Sequence, residues 1–349
     1  MNDGLGWNLR KEKPFPTRDS IIVMHQPLFL RDRQPTANVT QLEELIETVA
    51  CPNCGGRRCR TIRPARYPEN LSRAELLKTY SASSDHILFD AIVQCDDCRL
   101  VYLNPRIRKD LIIESYSSAV DPTFIAQNDE RVATFKKSLQ QLATRHGITP
   151  QTARRVLDVG CAGGAFPKAA HDLGFDVVGV EPSRWLAEQG RSLYGLDIRS
   201  GLLEEQDFPD QSFDLISLWD VIELLPDAHG VVRDIHRLLR PGGHLIVNYP
   251  DYGSVARKLL GSKWPMFLSG HLIYFTRETI TDFLHREKFE VVDFRPFWQT
   301  LQLGYVLKRA SAYFAFFGLA QRLTEAVRLH HVPLTYNIGQ SFVLARRTG

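Results

Sequence analysis

The sequence predicts an α/β fold: an open sheet with helices on both faces, preceded by a small cysteine-bearing unit. Three observations point to it. Between 153 and 295, short apolar runs alternate with segments of helical apolar spacing. The first of those runs, "VLDVG", passes directly into the glycine-rich turn Gly160-Cys161-Ala162-Gly163-Gly164. Upstream stand two Cys-X-X-Cys pairs, in a chain of 349 residues with six cysteines. That length accommodates one large core and a smaller unit. Six cysteines spread over it do not make a disulfide scaffold.

In chain order, residues 1–45 mix proline, charge and short apolar runs and read as an N-terminal arm. Their opening, "MNDGLGWNLRKEKPFP", lacks the apolar core of a secretory signal. No run of 18 apolar residues follows anywhere, so a cytoplasmic protein without a spanning helix is expected. Residues 46–105 carry five of the six cysteines and read as a compact zinc-binding domain. The pairs Cys51-Pro-Asn-Cys54 and Cys95-Asp-Asp-Cys98 each let two thiolates reach one tetrahedral ion, a closed structural Zn2+ site with no open position for chemistry. Unliganded thiols are the alternative, and Cys59 is a spare. Residues 106–150 read as a helical linker, the second helix ending at a glycine. The remainder, 151–349, has strand candidates at 155–159, 176–180, 213–218, 243–248 and 289–294. Helices are expected over 164–173, 183–192, 229–239 and 276–286. The closing "QSFVLARR" reads as an edge strand and the last of the sheet, which makes 296–336 an insertion over the site.

Net charge is only +3, which argues against nucleic acid as a partner. The charge is uneven: six arginines and one acid lie between Arg57 and Arg73, and six Lys or Arg and one acid between Gln299 and the end.

The glycine turn lets the backbone bend sharply and a ligand approach closely, and the helix after it presents free N–H groups. A second strand ends in Glu181, about 20 residues beyond Gly160, where an acid grips ribose hydroxyls. Asp158, two residues before the first glycine, would repel a pyrophosphate and suits a cofactor with a positive end.

"VLDVGCAGGAF", Glu181, "FDLISLWDVIELLPD" and "LLRPGGHLIV" together resemble the class I S-adenosylmethionine-dependent methyltransferases. "CPNCG", "CDDC", "LVYLNP", "SYSS" and "GHLIYFTRETITDFLHREKFEVVDF" extend the resemblance to bacterial members that act on sugars, lipids, polyketides and other small metabolites and carry an amino-terminal zinc unit. The resemblance implies a Rossmann-like seven-stranded sheet with the last strand antiparallel, and S-adenosyl-L-methionine as cofactor. By it, Asp158, Gly160, Ala162 and Gly163 line the methionine end, with Cys161 as a small packing residue of the same turn. Glu181 holds the ribose diol, Pro182 and Ser183 pass beside the adenine, and Trp219 and Asp220 end the fourth strand near cofactor and acceptor. Two departures stand out. Leu202 and Leu203 occupy the place of an adenine-side acid, leaving a backbone group, Glu204 or Glu205 to substitute. Glu223 is followed by Leu224 where relatives often have histidine.

A sulfonium methyl needs alignment above all, and an oxygen acceptor also needs its proton removed, for which a histidine titrating near neutrality is suited. His271, in "SGHLIYFT", is the first candidate and Asp220 the second. Tyr249, Tyr252 and Tyr274 are candidates for the acceptor pocket, whereas His229 and His236 read as surface or packing residues. The apolar, basic segment 303–320 either packs on the sheet, covers a greasy acceptor, forms a homodimer face or lies against a membrane. The leading expectation is O-methylation of a small-molecule, lipid, polyketide or glycosylated acceptor. C-methylation of a nucleotide-linked sugar, RNA methylation and a non-catalytic interaction role are the alternatives.

Overall fold

Seven strands form the main sheet of the computed structural model, in the order Phe289–Pro296, Gln340–Arg347, Leu239–Pro250, Phe213–Trp219, Arg155–Val159, Asp176–Glu181, Ile198–Ser200. The structure describes residues 44–67, 72–80, 89–311, 313–314 and 316–349. The arm expected over 1–45 therefore lies outside the described residues except at 44 and 45. From Leu239–Pro250 to Ile198–Ser200 neighbouring strands are parallel, and Gln340–Arg347 runs antiparallel to both of its neighbours. After Arg155–Val159 the chain winds outward to Asp176–Glu181 and Ile198–Ser200, then returns to Phe213–Trp219 on the other side. The winding reverses between Arg155–Val159 and Phe213–Trp219, and ligands of open α/β sheets bind at the carboxyl ends of strands at such a reversal. The glycine turn and Asp220 lie there.

The expected strands and helices form within a few residues of their predicted bounds. Helix Arg184–Tyr194 starts where Ser183 Oγ accepts the Leu186 N–H and ends at Gly195 in the left-handed region. Helix Ala228–Leu238 starts where Asp227 accepts the Gly230 N–H. Two features differ from the sequence reading. Ile198–Ser200, only three residues long, was not among the strand candidates. Gln340–Arg347 is not an edge: it pairs on both sides, and residues 340–345 are buried throughout. The edges belong to Phe289–Pro296 and Ile198–Ser200.

The cysteine-bearing segment folds as a four-stranded sheet ordered Ile273–Tyr274, Val101–Leu103, Ile92–Cys95, Cys59–Arg63. Its first strand comes from far along the chain, next to His271, and the Leu103 N–H donates to Leu272 O at 2.9 Å. The boundary expected at 105 does not separate two cores. Cys51, Leu103, Tyr116, Val159, Leu245 and Phe275 belong to one apolar cluster. The segment expected as a linker is helical over Lys109–Ser117, Pro122–Ile125 and Asn128–His146, but it packs on the sheet unit. Leu139 and Leu142 join the core beside Phe166, and Tyr116 Oη donates to Leu224 O at 2.7 Å.

Over the carboxyl ends lies a strap. Strands Gln299–Gln302 and Pro333–Tyr336 pair as its base, and helices Leu303–Ser311 and Phe316–Ala326 form its span. No helix among the described residues is long and apolar enough to cross a membrane.

Because the core is shared, Leu103→Ala, at a fully buried site, is expected to destabilise the whole described unit by about 2–5 kcal/mol. Calorimetry should show one transition shifted down; a new low-temperature transition with the main one unmoved would show that the cysteine segment folds by itself.

Candidate active site

At the winding reversal the structure holds a cavity of about 680 Å³. Ligand pockets run from about 300 to 1,000 Å³, so this one lies well within the size of a ligand site. One end is walled by the glycine turn. Gly160 has φ +73°, and a Cβ there would stand 2.6 Å from Val221 Cγ2. A Cβ on Gly163 would press on Ile125 Cδ1 and Asn128, which would have to move. At Gly160 the left-handed φ itself disfavours a side chain. Between the two glycines Ala162 takes φ 45°, held by its N–H bond to Glu181 Oε2 at 2.8 Å.

Glu181 also accepts the Ser183 N–H at 2.9 Å on Oε1. Burial nonetheless pushes its carboxyl up to about 7, against those two backbone donors. Asp158, fully enclosed, is raised well above the carboxylate range by burial although Ser217 Oγ donates to it at 2.6 Å. Asp220 has φ 53°, and its Oδ1 accepts from Asn248 at 2.8 Å and Gln340 at 2.7 Å. Burial pushes it up to about 6, opposed by Gln340 and by Arg131 and Arg309 across the cavity. Glu223 is buried with neither carboxylate oxygen hydrogen-bonded, and burial, with Asp220 nearby, raises it strongly. All four carboxyl groups line the same cavity. Unpaired buried anions are costly, so this donor set fits a ligand that brings positive charge.

Of the other expected cofactor residues, Cys161, Pro182 and Trp219 line the cavity. The Cys161 thiol is buried and raised by burial, consistent with packing rather than attack. Trp219 stacks among Phe135, Phe166, Phe297 and Phe342, and its indole N–H is buried without a partner. The Ser183 side chain is spent on the helix cap and on a 2.7 Å bond to Ala119 O, and it stands outside the cavity lining. Near the missing adenine-side acid, Glu204 reaches the lining, whereas Glu205 is occupied by the Leu202 N–H at 2.8 Å.

Much of the remaining lining is apolar, from Leu301, Leu307, Tyr313 and Phe317 of the strap, which also contributes Arg309, and from Met266 and Leu268. His271 lines the cavity too, with Nδ1 at 2.9 Å from Met266 O. Nδ1 therefore carries the proton and Nε2 is left as an acceptor. Burial pushes the imidazole down to about 4, so the expectation of a histidine titrating near neutrality is corrected: it is neutral there. Tyr249, Tyr252 and Tyr274 are also corrected. They lie outside the lining, and Tyr116, Tyr313 and Tyr336 stand in the cavity instead. Tyr249 and Tyr274 are fully buried. Glu223, Arg131 and Gln340 went unassigned to the site in the sequence. The only signal was the position of Glu223 just after a strand end. His229 packs as expected, between Glu287 and Asn53 O and against Phe283.

Away from the cavity, the Sγ atoms of Cys51, Cys54, Cys95 and Cys98 lie within 4.8 Å of one another. Cys51–Cys98 is 3.5 Å and Cys54–Cys95 is 3.6 Å. A zinc tetrahedron with Zn–S near 2.3 Å has edges of about 3.8 Å, so the cluster is compatible with zinc. Cys59 pairs across the sheet from Cys95 but is not in the cluster.

Residues 126–293 match the family model described as a methyltransferase domain. A ubiquinone biosynthesis O-methyltransferase of Alkalilimnicola ehrlichii is 31% identical over 27% of this chain and 40% of the relative. One of a Bradyrhizobium species is 26% identical over 42% of this chain and 70% of the relative. In the first of these, the match therefore spans less than half of the relative. A solved S-adenosylmethionine-dependent methyltransferase of Archaeoglobus fulgidus aligns with 16% identity and a TM-score of 0.44, over 65% of this chain and all of that one.

The buried carboxyls make a pH prediction. A carboxyl raised on folding stabilises the fold fully below its unfolded pKa, and that contribution is lost as pH rises through the folded one. For Glu181 and Asp220 the window runs from about 4 to about 7. The ligand-free protein should melt at a higher temperature at pH 5.5 than at pH 8, and Glu181→Gln with Asp220→Asn should flatten the difference. A melting temperature that rises with pH over this window would contradict the assignment.

Proposed function

We propose that this chain, which carries a class I S-adenosylmethionine-dependent methyltransferase domain, transfers a methyl group to an oxygen of an apolar small-molecule or lipid-like acceptor. The observation that carries this reading is one cavity that joins four carboxyl groups at the winding reversal to the mostly apolar inner face of the strap, with His271 in the same wall. The O-methyltransferase relatives favour oxygen as the accepting atom.

When bound, S-adenosyl-L-methionine supplies an electrophilic methyl on a cationic sulfur. Asp158 and the glycine turn would receive the methionine end, Glu181 the ribose diol, and Pro182 the side of the adenine. Trp219 Nε1 and Glu223 keep free hydrogen-bonding capacity where donor and acceptor would meet. His271 Nε2 accepts the acceptor's hydroxyl proton in a hydrogen bond and aims the oxygen lone pair. With a pKa near 4 it orients better than it deprotonates. Asp220, nearer neutrality, is the stronger base of the two. The strap excludes water from this part of the cavity.

We assign Zn2+ to the four-cysteine cluster as a structural ion. It ties the Cys51–Cys54 knuckle to the hairpin whose next strand, Val101–Leu103, pairs with Ile273–Tyr274.

Two outcomes are expected. His271→Ala should lower kcat by about 10²-fold through lost alignment, while calorimetric affinity for the demethylated donor product stays within about twofold; unchanged turnover on an apolar hydroxyl acceptor would remove His271 from the reaction. Metal analysis should find one zinc per chain, lost in Cys98→Ser together with part of the thermal stability. Full metal content in that variant would place the ion elsewhere.

A further inference from the structure

The strap has two faces. Its inner face, through Leu307, Tyr313 and Phe317, walls the cavity. Its outer face is apolar and open: Phe316, Leu319, Leu323 and Val327 are each about 60% exposed (64%, 63%, 59% and 62%). Steps of three, four and four residues place them on one stripe along helix Phe316–Ala326 and its first residue beyond. Leu329 and Val332 extend the exposed apolar surface past the helix.

A second patch lies alongside. The short helix Val255–Leu260 exposes Val255 and Leu259, one turn apart. Tyr313 Oη donates to Pro265 O at 3.1 Å, and Lys263 Nζ stands 5.1 Å from the Phe314 ring, so the two segments are neighbours. Between them they expose Lys258, Lys263, Lys308, Arg322 and Arg328. None of these five pairs with a carboxylate among the described residues. Glu325 is the one acid within 255–263 and 303–336.

Scattered exposed apolar residues are ordinary, but a continuous stripe rimmed by cations is the pattern of a helix lying in a lipid interface. A subunit interface would bury those unpaired cations against an identical cationic face, which costs stability. An anionic bilayer meets both chemistries at once, apolar side chains entering the acyl boundary and cations meeting headgroups. We propose that the outer face of the strap, through Phe316, Leu319, Leu323 and Val327 with Arg322 and Arg328, docks the protein on an anionic lipid surface. This places the bilayer about one helix diameter, roughly 10 Å, from the cavity. It does not depend on which group the enzyme methylates.

The test is flotation of the full chain with vesicles of phosphatidylglycerol and phosphatidylcholine, compared with phosphatidylcholine alone. Partitioning onto the anionic vesicles should be at least about tenfold stronger and should fall with salt. Leu319→Asp with Leu323→Asp, and separately Arg322→Gln with Arg328→Gln, should each reduce it about tenfold, while melting temperature and binding of the demethylated donor product stay as in the parent. Absent partitioning, equal partitioning on both vesicles, or partitioning that survives both double variants would overturn the proposal. So would sedimentation equilibrium showing a dimer that the leucine variant splits, with no vesicle binding by the parent.

Discussion

One carboxylate organises the ligand end of the molecule. Glu181 closes the second strand of the winding and takes N–H bonds from Ala162, in the turn after the first strand, and from Ser183, at the start of the next helix. Two loops from adjacent strands are thereby fixed to one side chain. Ala162 is held in a left-handed conformation that a non-glycine residue adopts reluctantly, and the glycines on either side allow the close packing this requires.

Around that anchor the electrostatics are deliberately lopsided. Four carboxyl groups face the cavity, and burial raises all of them. A ligand-free site of this kind holds protons it would give up to an arriving cation, so binding and protonation are linked. The same cavity also holds His271, whose imidazole burial pushes down, and the mostly apolar inner face of the strap.

Much of this was legible in the sequence. Arg155–Val159 and its glycine turn stand out because an apolar run meets residues that only a close approach requires. The cysteine pairs declare their cluster by spacing alone. What was hidden depends on partners distant in the chain. Ile198–Ser200 is too short to show a period. Gln340–Arg347 reads as an edge until Phe289–Pro296 is seen pairing on its far side. Ser183 could not be known to cap a helix rather than face a ligand, and the basicity of His271 is set by burial from several elements. Glu223 was marked in the sequence only by its place after a strand end; the assembled core shows that no donor among the described residues reaches it.

The pairing of Val101–Leu103 with Ile273–Tyr274 has a temporal consequence. A ribosome would release the cysteine hairpins long before the strand that completes their sheet. Until position 274 emerges, that sheet has an open edge able to pair wrongly with other chains. An ion captured early by the four thiolates, if the cluster holds one, would keep the hairpins in register through that wait, and metal supply during synthesis would then bear on yield.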